Sequence, residues 1–432
     1  MAVLVAAILI LLALGAGIWL PPFHPVQLWT IPWALATFLF ALRLLPYRAM
    51  TWTTAVVIVG GTLAFAAGSL IGNRAADRRL HRLTSAQQED PNCVGVAAVL
   101  TGSVLGLVLV AFLAQVAHDF GVRDAIVSAP SVRLAIAAGA TPVTIKYVYL
   151  ALAAATLGGI AAARAPRRGL RWRWTAFAAV CGASMYFSTG RANIVLALLV
   201  GLLAGALSRQ EGLNRRRLLG GMVTVTGISL AVFIGGGAII GKTFSATDIS
   251  TIDSVFTRLP ALSPLAVPYE YLSAPIAGLQ QEIRVSSIVG RGGGCATFAV
   301  FCQVFHHVGV NAQAEPVIRA FTKPALPWNT YTSLDFLLID GGFVFFAPLL
   351  VLFGTAVGAM WAFAQNGGSG AIAVYVIFAT TVLFSAYQNS FFAPHILGSA
   401  IISWSSLRLA GLWLRRRSRR SVEGGHDSIP AS

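Results

Sequence analysis

Residues 174–208 read WTAFAAVCGASMYFSTGRANIVLALLVGLLAGALS, an apolar run broken only at Ser188-Thr189-Gly190-Arg191-Ala192-Asn193. A membrane-crossing helix takes about 20 apolar residues, so this run is too long for one crossing and slightly short for two. Read as a hairpin, it has two short arms and a turn at Thr189-Gly190-Arg191, where Gly190 suits the tight backbone. An arginine at such a turn is costly near headgroup depth unless it faces a watery cavity or an anionic partner; the alternative is snorkelling to lipid phosphates.

The rest of the chain repeats the pattern. Of its 432 residues 56% are hydrophobic and 11% charged. A soluble domain of that length could not cover its surface with so few polar groups, which excludes a solvated globular protein. The expectation is an all-α polytopic membrane protein. Eleven crossings are predicted, near 1–20, 26–46, 51–72, 94–117, 146–163, 174–189, 192–208, 218–241, 336–362, 369–388 and 391–414. Helices one to eight thus occupy residues 1–241, a large loop 242–335, helices nine to eleven 336–414, and a basic tail 415–432. The first apolar run lacks a basic flank and a cleavage site, so it reads as a retained crossing rather than a signal peptide.

The net charge of +16 is mostly a topology signal. NRAADRRLHR, RAPRRGLRWRW, RQEGLNRRR and the tail RRRSRR all fall on one side of the predicted layout. That side is cytoplasmic by the positive-inside rule, which puts the N-terminus outside and the C-terminus inside. Nucleic-acid binding is therefore not expected.

The loop 242–335 is too long to be structureless in a compact protein. TIDSVFTRLPALSPL and PYEYLSAPIAGLQQEI are amphipathic and flanked by prolines, and GGGCATFAVFCQVFHHVGV is apolar enough to touch or re-enter the membrane. A cap of short helices on the outer face is the reading. Cys295 and Cys302 lie where a disulfide would survive. On a continuous helix they would be about 10.5 Å apart, beyond bridging, so a bridge requires a turn between them.

Candidate chemistry clusters towards the outer ends. Arg284 and Arg291 precede the glycine run 292–294, whose amides could approach an anion, though the run also suits a plain hinge. His306 and His307 are adjacent and point apart, a poor metal pair. His307 alone could act as a general base or phosphate donor, or simply pack. Asp340 enters the predicted ninth crossing about a turn and a half beyond Asp335, and an intramembrane carboxylate calls for a donor, for which Arg191 is the candidate. The following Gly341-Gly342 would permit close helix packing.

Three segments carry a resemblance: STGRANIVLALLV, YEYLSAPIAGLQQ and NTYTSLDFLLIDGGFVFFAPLL, in that order, with residues 282–328 of the large outer loop between the last two. Together with the many-crossing layout, they resemble the bacterial oligosaccharide repeat-unit polymerases of the O-antigen polymerase type. The resemblance implies a GT-C-like bundle in the cytoplasmic membrane. It also implies a metal-independent glycosyltransferase without cofactor, joining repeat units carried on undecaprenyl diphosphate at the outer face. Partners would be those lipid-linked oligosaccharides, membrane lipids, a flippase and a chain-length regulator. By position Arg191 would contact a diphosphate, with Asp340 and His307 as further catalytic candidates. Arg284, Arg291, Tyr271, Asn329 and Tyr331 would be substrate-binding candidates. The chain has Asp340-Gly341-Gly342 where the family usually has Asp-Phe-Gly, which leaves the carboxylate's role open. O-antigen ligases and lipid-linked oligosaccharide transporters are the neighbouring readings.

Overall fold

Among the described residues every regular element is helical. The computed structural model describes residues 1–83, 91–121, 147–185, 191–209, 227, 253–285, 294–298, 301–302, 305, 332–366, 368–387 and 393–423, with backbone alone at 80–83, 91, 191–193, 260, 285 and 418–423. The helices are α1 (Ala2–Trp19), α2 (Pro25–Leu42), α3 (Trp52–Leu83), α4 (Pro91–Phe120), α5 (Tyr147–Arg164), α6 (Arg168–Ala183) and α7 (Arg191–Leu207). They continue with α8 (Val255–Arg258), a 3-10 turn (Pro260–Leu265), α9 (Ala266–Val285), α10 (Ser333–Asn366), α11 (Ser369–Leu383) and α12 (Pro394–Glu423).

Seven of these, α1 to α5, α10 and α12, are long and apolar enough to cross a membrane. Ile194–Leu207 within α7 and Ser369–Leu383 are shorter apolar helices. The chain is a helical membrane protein. Exposed Val3, Leu11, Leu14, Ile18 and Trp19 on α1 form an apolar face of the kind that lipid covers. The crossing predicted at 218–241 lies outside the described residues apart from Gly227.

The chain forms two compact units. One comprises Met1–Arg82, Thr226–Phe363 and Phe378–Leu397; the other comprises Leu83–Val225, Ala364–Ile377 and Gly398–Ser432.

In the first unit α3 and α10 pack backbone to backbone. A Cβ at Gly68 or Gly72 would collide with the carbonyl oxygens of Val351 and Thr355, and one at Gly354 or Gly358 with those of Phe65 and Ser69. Both series advance by four residues in the same sense, so the helices run parallel. Four glycines on two facing Gly-x-x-x-Gly stripes allow this approach, in which Cα–H groups meet carbonyl oxygens.

The second unit repeats the device between α5 and α7. A Cβ at Gly159 would collide with the Gly201 oxygen, one at Gly205 would lie 3.3 Å from the Gly159 oxygen, and one at Gly201 3.5 Å from the Ala155 oxygen. These two helices are also parallel, so α6 returns between them. A Cβ at Gly182 would lie 3.5 Å from the Ala197 Cβ, and one at Gly201 3.8 Å from the Ala178 Cβ. Both pairs are centred in sequence on Thr189-Gly190, as an antiparallel α6–α7 hairpin requires.

Two local expectations change. Pro268 and Pro275 lie inside the continuous helix α9 rather than bounding it. Pro268 stands in the first turn, whose amides have no helical acceptor, and Pro275 costs one bond that twenty residues of packed helix outweigh. Gly341-Gly342 do not serve helix packing as expected: Gly342 adopts φ 56° and breaks α10 into two segments. Only glycine takes that conformation without strain.

Candidate functional site

The first segment of α10 is buried from Thr332 to Ile339. Its start is fixed by reciprocal capping: the Thr332 N–H donates to Asp335 Oδ2 at 2.6 Å and the Asp335 N–H to Thr332 Oγ1 at 3.3 Å. Ser333 adds two bonds to the Ser385 carbonyl, from its N–H at 2.9 Å and its hydroxyl at 3.0 Å. Trp33 Nε1 donates to the Ser385 hydroxyl at 2.9 Å, which ties α2 to the same point. Asp335 is thus a helix-starting residue.

Asp340 ends this segment. Its carboxylate accepts from three backbone amides: Gly294 at 3.1 Å, Ala296 at 3.0 Å and Thr297. Successive amides converge because Gly294 has φ +90° and the chain turns from 294 to 297. The Phe298 N–H closes that turn on the Gly294 carbonyl at 2.9 Å, and Phe298 in turn accepts from Phe301 and Cys302. The result is a nest of amides holding an anion.

The same turn brings Cys295 and Cys302 together. Their Cα atoms are 5.6 Å apart and the sulfurs are bonded. A turn was the condition for a bridge, and it is met. Ala296 packs on Phe336 and Ile339, and the Phe298 ring stacks on Phe353 at 6.2 Å. The loop therefore lies along α10 on both sides of the break at Gly342. Of the glycine run 292–294, Gly294 gives its amide to a carboxylate of the chain itself, and Gly292 and Gly293 lie outside the described residues.

A second polar cluster joins α9 to the α2–α3 connection, residues 43–51. The α2 C-cap, Arg43, is left-handed at φ 51°, so the chain leaves the helix with backbone groups in need of partners. α9 supplies them. The Tyr269 hydroxyl donates to the Leu39 carbonyl at 2.8 Å and accepts from the Leu44 N–H at 3.0 Å. Gln280 donates to the Ala49 carbonyl at 2.9 Å and accepts from the Thr51 N–H at 3.2 Å. Ser273 donates to the Tyr269 carbonyl at 2.7 Å, so the Tyr47 hydroxyl, 3.0 Å away, donates to Ser273.

Within that cluster lies Glu270, with no exposed surface and, among the described residues, no hydrogen-bond partner for either oxygen. Burial pushes its carboxyl up to about 8. Burial likewise raises the phenols of Tyr47 and Tyr269. Residues 242–335 hold six basic and six acidic residues, and that balance does not single out Glu270. Its position one residue after Tyr269, on a helix with polar groups at 269, 273 and 280, was the available signal.

Of the residues expected to act, Arg191 is the first residue of α7, and its side chain lies outside the described residues, as does any ion pair with Asp340. Arg284 is exposed in the last turn of α9, and Tyr271 is half-buried on the same helix. His307, Arg291, Asn329 and Tyr331 lie outside the described residues. Among the described residues no group of three or more His, Cys, Asp or Glu could hold a metal ion. Comparisons with protein-family models, with curated proteins and with solved structures return no match.

Proposed function

We propose that this chain is a polymerase of lipid-linked oligosaccharide repeat units, acting at the outer face of a bacterial cytoplasmic membrane. The observation that carries the reading is the α6–α7 hairpin, mirrored about Thr189-Gly190 with Arg191 opening α7. A guanidinium at a helix N-terminus combines a full charge with unpaired amides, a combination suited to a diphosphate. The other two segments of the resemblance also carry irregular features: YEYLSAPIAGLQQ supplies the groups that clasp the α2–α3 connection, and the last holds Asp340 and the break at Gly342.

In this proposal eleven crossings form a GT-C-like bundle, N-terminus outside and C-terminus cytoplasmic. The disulfide supports placing the loop outside, in an oxidising compartment. The growing chain on undecaprenyl diphosphate is the donor, and a hydroxyl of the incoming lipid-linked unit attacks its anomeric carbon. The carbon–oxygen bond to the diphosphate breaks, the lipid diphosphate leaves, and the proton of the attacking hydroxyl passes to solvent. Charge develops on that leaving group, where Arg191, with Arg284 and Arg291 in support, stabilises it. One such contact is worth a few kcal/mol, on the order of a hundredfold in rate. Asp340 acts here as a positioning residue for the disulfide loop.

The test is Arg191→Ala in a deletion strain. Glycan ladders should collapse to single repeat units while protein level holds. Normal ladders would overturn the site. A deletion strain that still builds polymer but leaves it on the lipid carrier would assign the chain to the ligase reaction instead.

A further inference from the structure

We infer that Glu270 is a proton-binding site that latches α9 onto the α2–α3 connection: neutral, it keeps the helix docked; ionised, it releases it. The inference rests on an inventory of donors and holds whether or not the chain is a polymerase.

The hydroxyl protons of Tyr47, Ser273 and Tyr269 already have acceptors. Tyr47 gives its proton to Ser273, Ser273 gives its own to the Tyr269 carbonyl, and Tyr269 gives its own to the Leu39 carbonyl. Gln280, nearly three turns further along α9, is engaged with Ala49 and Thr51. A carboxylate at position 270 would be a buried charge that meets no donor among the described residues. Such a charge is not tolerated in place, so the group either keeps its proton or gains water.

The surrounding charges do not relieve it. On the connection Tyr47 is buried beside Glu270, while Arg43 and Arg48 are exposed. α2 itself carries no ionisable side chain, and the start of α3 none before Arg74. On α8 Arg258 is bound to Asp253 at 2.9 Å and both are largely exposed. On α9 the other titratable groups are Tyr269, Tyr271, Glu282 and Arg284, the last exposed. Parting of α9 from the connection would let water reach the carboxylate. That separation would break the Tyr269, Ser273 and Gln280 bonds together, which makes the release a single step. With the docked carboxyl raised by burial to about 8, the latch weakens progressively as pH rises from about 4.5 to 8 and no further above it.

The test uses the full chain in native membranes with Cys93 and Cys181 replaced by alanine and the disulfide kept. Ala274→Cys, at a position with no exposed surface one turn from Glu270, reports separation through its rate of labelling by N-ethylmaleimide. Rates are taken in the presence of Glu270 and of Glu270→Gln at each pH, and their ratio cancels the thiol's own titration. The ratio should rise by up to about tenfold per pH unit between pH 5 and 8 and level off above, because the released carboxyl ionises near its ordinary value and the docked one near 8. Glu270→Leu serves as the reference if Glu270→Gln fails to accumulate. A ratio that shows no rise with pH overturns the latch.

Discussion

Asp340 and Glu270 are two acids of the same unit, placed in opposite surroundings. Asp340 is half-buried and takes three amide protons from a turn that needs no other acceptor for them. Glu270 is fully buried in a polar cluster and takes none, because its neighbours' protons are committed to backbone carbonyls. Proximity to polar groups does not by itself accommodate a carboxylate; uncommitted donors do. A turn with left-handed glycine offers amides that no helix consumes, whereas hydroxyls on a helix must first complete the structure around them.

Removing each acid breaks the comparison in opposite directions. Asp340→Ala leaves three amides without their acceptor and should cost roughly 3 to 9 kcal/mol at one to three per group, seen as a lower unfolding midpoint in detergent. A midpoint unchanged from wild type would show that water satisfies the nest as well as the carboxylate does.

Glu270→Leu should stabilise, and the sign follows from the raised carboxyl. Below pH 4.5 both folded and unfolded chains hold the proton. Above it the unfolded chain loses the proton first, while the folded chain keeps it to about 8. Wild-type stability therefore falls through this window by up to about 1.4 kcal/mol per pH unit and levels off above it. At pH 6 the leucine variant should lead by about 2 kcal/mol, and its own stability should lack that slope. Parallel pH profiles for the two proteins would refute the buried acid.

The smallest effect tests the clasp that commits the protons. Tyr269→Phe strands the Leu39 carbonyl and the Leu44 N–H and should cost about 1 to 2 kcal/mol. It should also leave the response of Asp340→Ala unchanged, since the hydrogen bonds described for the two clusters have no residue in common. Strong coupling in a double-mutant cycle would merge two sites described here as separate.

Much of the layout was legible because membrane crossings are written in composition. The hairpin at 174–208 followed from length and a single glycine-arginine interruption, and the antiparallel packing of Gly182 with Ala197 agrees with it. The need for a turn between Cys295 and Cys302 was likewise a matter of rise per residue. The destinations of donors were not legible. Asp340 reads as an acid seeking an arginine until the chain is seen to bring residues 294–297 back to it. The double glycine looked like a packing stripe, yet the packing stripes are Gly68-x-x-x-Gly72 and Gly354-x-x-x-Gly358, and Gly342 is a break. Glu270 looked unremarkable in a loop whose charges balance, because burial of a loop helix leaves little periodic trace when nearly every face is covered.

The clasp between α9 and residues 39–51 has a consequence for how such a chain can diverge. Tyr269 and Gln280 bind the carbonyls of Leu39 and Ala49 and the N–H groups of Leu44 and Thr51, atoms that every residue except proline possesses in full. Substitution on the connection leaves those bonds intact, whereas substitution on the helix removes them. Selection should therefore act on one partner only. In a set of descendants the helix would hold its tyrosine and glutamine while the clasped stretch drifted in side chain, excluding proline at 44 and 51. Covariation would not reveal the pairing, because only one side of it is encoded in residue type.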